Sequence, residues 1–383
     1  MAQPKTKKIL GQPSWEISSD TVQLAVTRMG GHMAPVRFKL GARVIEPYSV
    51  APWAEEKMEP GTPNTLRALR GDFFCAPFGG NDTPFRGMKH PPHGDSAGEH
   101  WNCESLERNG TRTTLHLAMK TKILPGRADK FIQLRDKESV IYCRHSLSGM
   151  TGPMTYGHHA TLKFPAHEGS GRISTSPISF AQVAPIPFEL PELRGYQCLK
   201  PGAIFERLDQ VPSALGGYAD LSRYPARRGY EDIVMLVHSS REDFAWSAVA
   251  FPEERYVWFS LKDPRVLQET VFWISNGGRH YPPWNGRHVN VMGMEDVTSY
   301  FHYGLAESAR ANPLSRRGYS TSVQLNAKTP LTVSYIMGTA SLPKGFTKVK
   351  SIVPSAGHVV ITSTEGKSIR VPVDTSFLQN TPL

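Results

Sequence analysis

The sequence predicts an all-β protein built from large antiparallel sheets with few short helices. Three observations favour this fold class. Apolar and polar residues alternate with period two in many short segments, and these segments are rich in Val, Ile, Thr, Tyr and Trp. Glycine (33 residues) and proline (31 residues) supply the turns that many short strands need. The sequence lacks both strand–helix alternation and a glycine-rich phosphate loop, which disfavours a doubly wound nucleotide-binding fold.

The predicted strands all show the alternation of a half-buried or buried strand. In chain order they are TVQLAVT, TTLHLAMKTKI, SVIYCRHSL, DIVMLVHSS, FAWSAVAF, RYVWFSL, ETVFWIS and LTVSYIM. Near the C-terminus, HVVITSTEGKSIRVPV predicts two strands joined by a Glu-Gly turn. The best helical pattern is EDVTSYFHYGLAESARA, which follows Met294.

The chain length of 383 residues and the strand pattern predict one β domain over residues 1–383, in the form of a sheet sandwich. Residues 1–15 are expected to be flexible, and residues 344–383 to form either an appended β-hairpin or part of the main sheets. The segment from Ile173 to Arg228 is rich in Pro, Gly and Arg, with weak periodicity. It predicts long loops that cross one end of a sheet and help to build a ligand face.

Composition and charge exclude several classes of function. The formal net charge is +10, but Lys and Arg are dispersed, with one dense run at Lys5–Lys8, so a nucleic-acid partner is not expected. Four scattered cysteines without a CxxC pair disfavour a disulfide scaffold or a zinc knuckle. No stretch approaches 18 apolar residues and no secretory signal is recognisable, so we expect no membrane span and a cytoplasmic location.

The segment GMKHPPHGDSAGEHW, residues 87–101, places three histidines on a stretch whose prolines and glycines predict a loop. One interpretation is a metal site made by His90, His93, His100 and Glu99. The other is a ligand pocket in which one histidine is an acid or a hydrogen-bond donor. HxxH across two prolines is a poor preformed chelate and no His-x-His pair occurs, so we expect no metal.

Three further segments carry potential chemistry: LRGDFFCAPFGG (69–80), TYGHHATLKFP (155–165) and FWISNGGRHYPPWNGRHVNVMGMEDVT (272–298). Together with His93-Gly94 and Trp101, these segments resemble the aldose 1-epimerase family of galactose mutarotases and hexose-phosphate mutarotases. The motifs occur in the family order between Arg70 and Thr298. The resemblance implies a β-supersandwich, two large twisted antiparallel sheets packed face to face, with a sugar on the concave face and no cofactor.

The resemblance also implies roles for individual residues. Opening a hemiacetal ring needs a base for the anomeric hydroxyl and an acid for the ring oxygen, and a carboxylate and a histidine suffice. Glu295 is the expected base and His159 the expected acid, while His93 would hold the ring oxygen or an adjacent hydroxyl. Glu295 could instead be a charge at the start of a helix.

Four residues are expected to bind the sugar: Arg70, His158, Trp284 and Arg279. Arg70 could donate two hydrogen bonds, or pair with Asp72 as a structural arginine. Trp284 could stack on a sugar face or pack in the core. His158 and His159 point to opposite faces of an extended chain, so only one can face the sugar, and the spacing favours His159. Ala97 stands where the phosphate-sugar branch often has an arginine, which disfavours a phosphorylated substrate.

The expected function is therefore that of a mutarotase-like isomerase acting on a free or modified sugar in carbohydrate metabolism. Its expected partner is a small-molecule carbohydrate, and the sequence leaves the oligomeric state open. The alternative is another carbohydrate-active enzyme, or a non-catalytic carbohydrate-binding protein, on the same fold, because a fold alone does not determine function.

Overall fold

The computed structural model describes residues 4–379, and β-strands dominate its first half. The first two α-helices are single turns, α1 (Asn64–Arg67) and α2 (Gly94–Gly98). The strands of this half are β1 (Lys7–Ile9), β2 (Gln12–Ser18), β3 (Val22–Thr27), β4 (Met33–Leu40), β5 (Arg43–Ile45), β6 (Phe74–Cys75), β7 (Asn102–Asn109), β8 (Arg112–Thr121), β9 (Gly126–Arg135), β10 (Val140–Ser148), β11 (Gly152–Met154), β12 (Tyr156–His158), β13 (Ala160–Lys163), β14 (Gly171–Thr175) and β15 (Ile178–Val183).

The second half continues in the same way, with one α-helix, α3 (Leu305–Ala309). Three 3₁₀ turns lie at Pro191–Leu193, Ser315–Arg317 and Thr375–Leu378. The strands are β16 (Val211–Pro212), β17 (Tyr218–Ala219), β18 (Arg223–Tyr224), β19 (Tyr230–His238), β20 (Ala245–Phe251), β21 (Tyr256–Lys262), β22 (Glu269–Asn276), β23 (Val291–Thr298), β24 (Val323–Leu325), β25 (Leu331–Ser341), β26 (Val349–Ser355), β27 (His358–Ser363) and β28 (Ser368–Pro372). Among the described residues no α-helix exceeds five residues, and none could span a bilayer.

Two large antiparallel sheets form the body of the protein. The nine-stranded sheet has the order β18-β14-β20-β21-β25-β10-β9-β8-β7. The second sheet has the order β15-β19-β22-β23-β12-β6, with β13 as a further strand beside β23. Strands β1 to β5 form a separate five-stranded sheet. The predicted fold class, all-β with large antiparallel sheets and few short helices, is confirmed.

The main hydrophobic core lies between the two large sheets, and alternation along the strands selects the residues that enter it. On β19, Val234 and Leu236 belong to this core, whereas Ile233 and Met235 belong to a cluster on the opposite face. Successive side chains of a strand point to opposite faces of the sheet. The seven-stranded sheet is therefore apolar on both faces, with loops covering the face that turns away from the nine-stranded sheet.

All eight strands predicted from alternation are confirmed, as β3, β8, β10, β19, β20, β21, β22 and β25. The predicted Glu-Gly turn joins β27 to β28. The predicted appended hairpin is larger than expected, because β26 adds a third strand to it. Its apolar side chains, including Ile352, Val359 and Val371, pack with Phe259 and Ile336 on the outer face of the nine-stranded sheet.

Three local expectations were wrong. The helix predicted after Met294 is strand β23 up to Thr298, and only Leu305–Ala309 is helical, because β23 lies between β22 and β13 with every residue buried. Residues 94–98 of the predicted 87–101 loop form the helix α2. The segment 173–228 begins with the end of β14 and with β15, and the expected loops follow after Val183, interrupted by the two-residue strands β16, β17 and β18.

The N-terminal segment also differs from the expectation of flexibility over residues 1–15. Residues 1–3 lie outside the described part of the chain. From Lys7 onward the segment forms β1 and β2, and Trp15 is buried in the main core. The apolar side chains of β2 pack against β3 and β8. This packing orders an N-terminal segment that was expected to be flexible.

Candidate active site

A cavity of about 410 Å³ opens on the loop-covered face of the seven-stranded sheet. Strands β22 and β23 supply its floor, and the loops around residues 63–93 and 188–189 and 279–284 supply its walls. Of the residues predicted from sequence to form the site, the cavity brings together His93, His159, Glu295, Arg279 and Trp284. Arg70 and His158 do not line it.

Glu295 reaches the cavity because it lies on the same face of β23 as Gly293. The missing side chain of Gly293 makes room for the carboxylate, since a Cβ atom there would lie 2.4 Å from Glu295 Oε1. Glu295 is buried, and burial raises its pKa well above the usual value by disfavouring the charged form. A carboxyl group in such surroundings holds a proton more tightly than one in water.

His159 sits between β12 and β13, where the chain turns its side chain to the cavity. Its Nε2 atom lies 3.2 Å from Glu295 Oε1. Its ring stacks on Phe73 at 4.4 Å between centroids and 18° between planes, and Phe73 in turn stacks on His32 at 4.0 Å. Burial, followed by the neighbouring His93, lowers the pKa of His159 well below the usual value.

The hydrogen bonds of His159 favour one tautomer. Its Nδ1 atom lies 3.2 Å from Thr161 Oγ1, and that hydroxyl donates a long bond of 3.5 Å to the His159 carbonyl oxygen. A hydroxyl that donates elsewhere is free to accept, so this geometry suits the tautomer with hydrogen on Nδ1, in which the unprotonated Nε2 faces Glu295. Burial favours the uncharged form of each group, a protonated Glu295 and a neutral His159.

His93 approaches the same space from the loop that precedes α2. Its ring lies 5.0 Å from that of His159, nearly perpendicular to it. His93 has φ of 60° and Gly94 has φ of 75°, two successive left-handed residues that aim the histidine inward. Gly94 is required here because a Cβ atom would lie 2.0 Å from the Ala76 carbonyl oxygen. A strained backbone of this kind at a side chain that lines a cavity is typical of functional residues.

Aromatic rings form much of the cavity wall. Trp273 lies edge-on to His159 at 5.6 Å and edge-on to Trp284 at 5.8 Å. The indole of Trp273 is fixed by a 3.2 Å hydrogen bond from its Nε1 to Glu231 Oε2. Glu231 also accepts from Ser275 and from the backbone of Gly278, and burial raises its pKa to about 7. Flat apolar rings beside polar groups suit a ligand with both kinds of surface, as a sugar has.

Arg279 forms a second polar centre in the cavity. Its guanidinium lies 4.4 Å from the ring centroid of Trp284 and 4.6 Å from that of Phe188, and its Nε donates to Glu189. Tyr281 also donates its hydroxyl to Glu189, at 3.1 Å. Glu189 comes from the loop-rich segment, which has no motif that could have identified it from sequence.

Arg70 corrects the expectation of a sugar ligand at that position. Its guanidinium is fully buried and donates to three backbone carbonyl oxygens, those of Ile9, Leu10 and Ala68. The following Gly71 has φ of 51° and passes so close to Met33 that a Cβ atom would lie 1.7 Å from its carbonyl oxygen. Arg70-Gly71 therefore fastens the N-terminal sheet to the body of the protein and makes no contact with the cavity.

His158 likewise differs from the expected sugar ligand. Its side chain points into the core between the sheets, where Nδ1 lies 2.9 Å from Asp72 Oδ2 and the ring stacks on Tyr335 at 4.2 Å. Adjacent residues of an extended chain face opposite ways, so His159 in the cavity places His158 in the core. Trp101, part of the His93-Gly94 motif, is buried and donates to the Ser96 carbonyl oxygen.

The structure adds cavity residues that the sequence did not single out. They include the aromatic or polar side chains of Phe73, Phe188, Glu189, Trp273, Tyr281 and His302. The family-like segments contained three of them, since Phe73 lies in the segment 69–80 and both Trp273 and Tyr281 lie in the segment 272–298. Within residues 4–379, no group of three His, Cys, Asp or Glu side chains has an arrangement that could hold a metal ion, and His90 and His100 do not join the cavity.

Comparison with solved structures shows the galactose mutarotase-like fold. A provisionally assigned aldose 1-epimerase from Escherichia coli K12 matches with a TM-score of 0.58 and 14% identity, over 87% of this chain and 100% of that chain. A galactose mutarotase-like protein from Clostridium acetobutylicum matches with a TM-score of 0.58 and 11% identity, over 88% and 98%. A galactose mutarotase related enzyme from Lactobacillus acidophilus matches with a TM-score of 0.54 and 11% identity, over 86% and 99%.

No protein-family model and no curated protein matches the sequence. At 11 to 14% identity, the likeness to solved structures shows the fold alone. Function resides in the site and not in the fold, so the geometry and chemistry of the cavity decide what the protein does.

Proposed function

We propose that the protein is an aldose 1-epimerase, a mutarotase that interconverts the anomers of a sugar by opening and closing its ring. The observation that carries this proposal is the contact between Glu295 Oε1 and His159 Nε2 at 3.2 Å in an aromatic-walled cavity. The fold of the structural neighbours supports a carbohydrate as the ligand.

The reaction needs one base and one acid. In ring opening, Glu295 removes the proton from the anomeric hydroxyl, and His159 donates a proton to the ring oxygen. The carbonyl can then rotate, and the two groups exchange roles when the ring closes on its other face. Each well-placed acid or base typically accelerates such a step by about a hundred- to ten-thousand-fold.

The pair in the cavity has the right number of protons for this cycle. Burial of both groups favours a pair without net charge, which holds one proton on either Glu295 or His159. The catalytic state before ring opening places this proton on His159, and the state after it places a proton on Glu295. The net charge of the pair is the same in both, so neither step leaves an uncompensated charge in the cavity.

The other cavity residues would position the sugar. His93 would donate to the ring oxygen or to an adjacent hydroxyl, since its ring lies perpendicular to that of His159 at 5.0 Å. Trp284 and Trp273 would pack against the C–H face of the sugar, and Arg279 would bind oxygen atoms at the end remote from the acid–base pair. Arg279 and His159 both lie beside Trp273, at 5.7 and 5.6 Å from its ring centroid, so a ligand along this indole reaches both.

The direct test is to follow anomer conversion in freshly dissolved sugars by polarimetry or by NMR, on a panel of neutral, carboxylated and phosphorylated aldoses. The protein is first dialysed against a chelator, because the proposed chemistry uses side chains alone. We expect conversion faster than the spontaneous rate for at least one sugar. Sugar binding without any acceleration would instead favour a non-catalytic carbohydrate-binding protein.

A further inference from the structure

Arg279 has more hydrogen-bonding capacity than its protein partners use. A guanidinium has five N–H donors. The Nε–H of Arg279 donates to Glu189, and neither terminal nitrogen has an acceptor among the described residues. The side chain lines the cavity and is 12% exposed. The two terminal nitrogens are not enclosed by protein, so water or a ligand in the cavity supplies their acceptors, and this open edge of Arg279 is a recognition element.

The surrounding residues hold this open edge in a fixed orientation. The rings of Trp284 and Phe188 lie 4.4 and 4.6 Å from the guanidinium carbon and limit its movement. Glu189 is itself fixed by Tyr281 and by Gly195, where a Cβ atom would lie 2.0 Å from Glu189 Oε2. A planar fork held in this way is preorganised for a two-oxygen acceptor such as a carboxylate.

We propose that the sugar bound in this cavity carries a carboxylate, and that the two terminal nitrogens of Arg279 bind it as a bidentate pair. This inference rests on the proposed function, because it names the substrate class of the same cavity. The substrate would be a sugar acid such as a uronate, with its anomeric carbon at Glu295 and His159.

The position of Arg279 relative to the acid–base pair supports this arrangement. Trp273 lies 5.6 Å from the His159 ring and 5.7 Å from the Arg279 guanidinium, so one indole lies beside both the reacting group and the charged group. A pyranose ring that lies along this indole would have its anomeric carbon next to His159 and Glu295. The carboxylate on the far side of the ring oxygen then lies toward the guanidinium.

The charges of the cavity favour a carboxylate over a phosphate. Arg279 is the single Lys or Arg among the residues that line the cavity, while Asp82, Glu189 and Glu295 are carboxyl groups. Because Arg279 already pairs with Glu189, each negative charge of a ligand adds to the net negative charge of the cavity, and a carboxylate adds one. A phosphate monoester carries close to two negative charges at neutral pH, and it would meet repulsion with no second cation.

The test measures binding with 1,5-anhydro sugars, which lack the anomeric hydroxyl and cannot mutarotate. The 1,5-anhydro forms of glucuronate and galacturonate are titrated beside their neutral and 6-phosphorylated counterparts, by NMR or calorimetry. We expect the carboxylated form to bind on the order of ten- to hundredfold more tightly than the neutral one. Arg279→Gln should abolish this preference, and Arg279→Lys should retain part of it because the charge remains.

Arg287→Gln is the matched control, since Arg287 is in the same loop and pairs with Glu56 at the surface. It should keep the preference, and thermal unfolding of each variant reports whether it folds. If Arg279→Gln does not fold, the binding preference of Arg279→Lys provides the test. Lysine keeps the positive charge but loses the bidentate geometry, so the preference for the carboxylated form should be weaker than in the unmodified protein. Equal or tighter binding of the neutral or phosphorylated form, no binding of any form, or an unchanged preference in a folded Arg279 variant would overturn the inference. Carboxylate-selective binding without anomer conversion of any free sugar would refute the proposed mutarotase function and leave this inference standing.

Discussion

His159 Nε2 and Glu295 Oε1 lie 3.2 Å apart, although they come from separate motifs of the chain. The contact exists because β13 pairs with β23 in antiparallel register, with Ala160 opposite Met294. This register places His159, the residue before β13, beside Glu295, the residue after Met294. The sheet itself therefore assembles the proposed acid–base pair, on a rigid element in place of a loop.

The pH dependence of the rate should report the single proton of this pair. Below the lower apparent pKa, His159 and Glu295 both hold protons and no base remains. Above the upper apparent pKa, the shared proton is lost and no acid remains. Burial lowers the pKa of His159 well below its usual 6.5 and raises the pKa of Glu295 well above its usual 4.5. The two apparent pKa values of the pair are therefore widely separated. Measurement of kcat/KM between about pH 4 and pH 9 should give a broad bell. A single titration near the ordinary histidine pKa would contradict this description.

Gly293→Ala should lower the rate by displacing Glu295. The new Cβ atom would lie 2.4 Å from Glu295 Oε1 and 3.1 Å from Trp273 Cβ. The carboxyl group must move, and a displacement of about 1 Å can cost on the order of a hundredfold in rate. Gly61→Ala is the control, because a Cβ atom there has no neighbour within 4 Å. Steady-state kinetics on both variants would disprove this role of Gly293 if the two kept equal activity.

The alternation of strands made most of the fold predictable, whereas the site was predictable only in part. His159, Glu295 and His93 reach the cavity from segments chosen for their chemistry and their family resemblance. Arg70 does not reach the cavity, because its guanidinium donates to carbonyl oxygens of the N-terminal segment. The residues around Arg70 in the sequence do not indicate this distant contact. Glu189 lies in a weakly periodic loop, so no local pattern marks it. Its place beside Arg279 depends on contacts between distant loops.

The helix predicted after Met294 shows how tertiary contacts override a local pattern. Asp296 and Glu295 resemble the acidic first turn of a helix. In the structure they lie on opposite faces of β23, where Asp296 enters the core and pairs with Lys262 at 2.7 Å. Tyr335 and Ser260 also donate to Asp296, at 2.7 and 2.9 Å. Partners this far away in sequence cannot be seen in the local pattern.

Asp296→Asn should therefore destabilise the protein, in contrast to a change at Glu295. Burial works to raise the pKa of Asp296, but Lys262 and the hydrogen bonds outweigh it and hold the pKa below the usual value. Removing the carboxylate leaves Lys262 buried without its counter-charge, which costs about 3 kcal/mol or more of unfolding free energy. Urea denaturation measures this loss. Asp209→Asn, at an exposed pair with Arg207, should leave the midpoint in place. An unaltered midpoint for Asp296→Asn would refute the structural role.

His93→Asn should weaken sugar binding more than the chemical step. Asparagine tolerates the left-handed backbone that His93 adopts at φ of 60°, so the loop should remain intact. The shorter side chain loses the hydrogen bond to the sugar, and KM should rise by about tenfold. His100→Asn, at an exposed position seven residues away, is the control. Should kcat fall by about a hundredfold with KM constant, His93 would be the acid in place of His159.

The most direct measurement is the anomer-conversion rate of Glu295→Gln beside its thermal midpoint. Glutamine keeps the size and much of the hydrogen bonding of Glu295, but it cannot accept the anomeric proton. We predict a fall in rate by a factor on the order of a hundred or more, with sugar affinity and thermal midpoint nearly unchanged. Glu253→Gln, whose side chain is 74% exposed, is the matched control and should keep the rate of the unmodified protein. A folded Glu295→Gln variant with an undiminished rate would contradict the account, because it would remove the base from the proposed mutarotase.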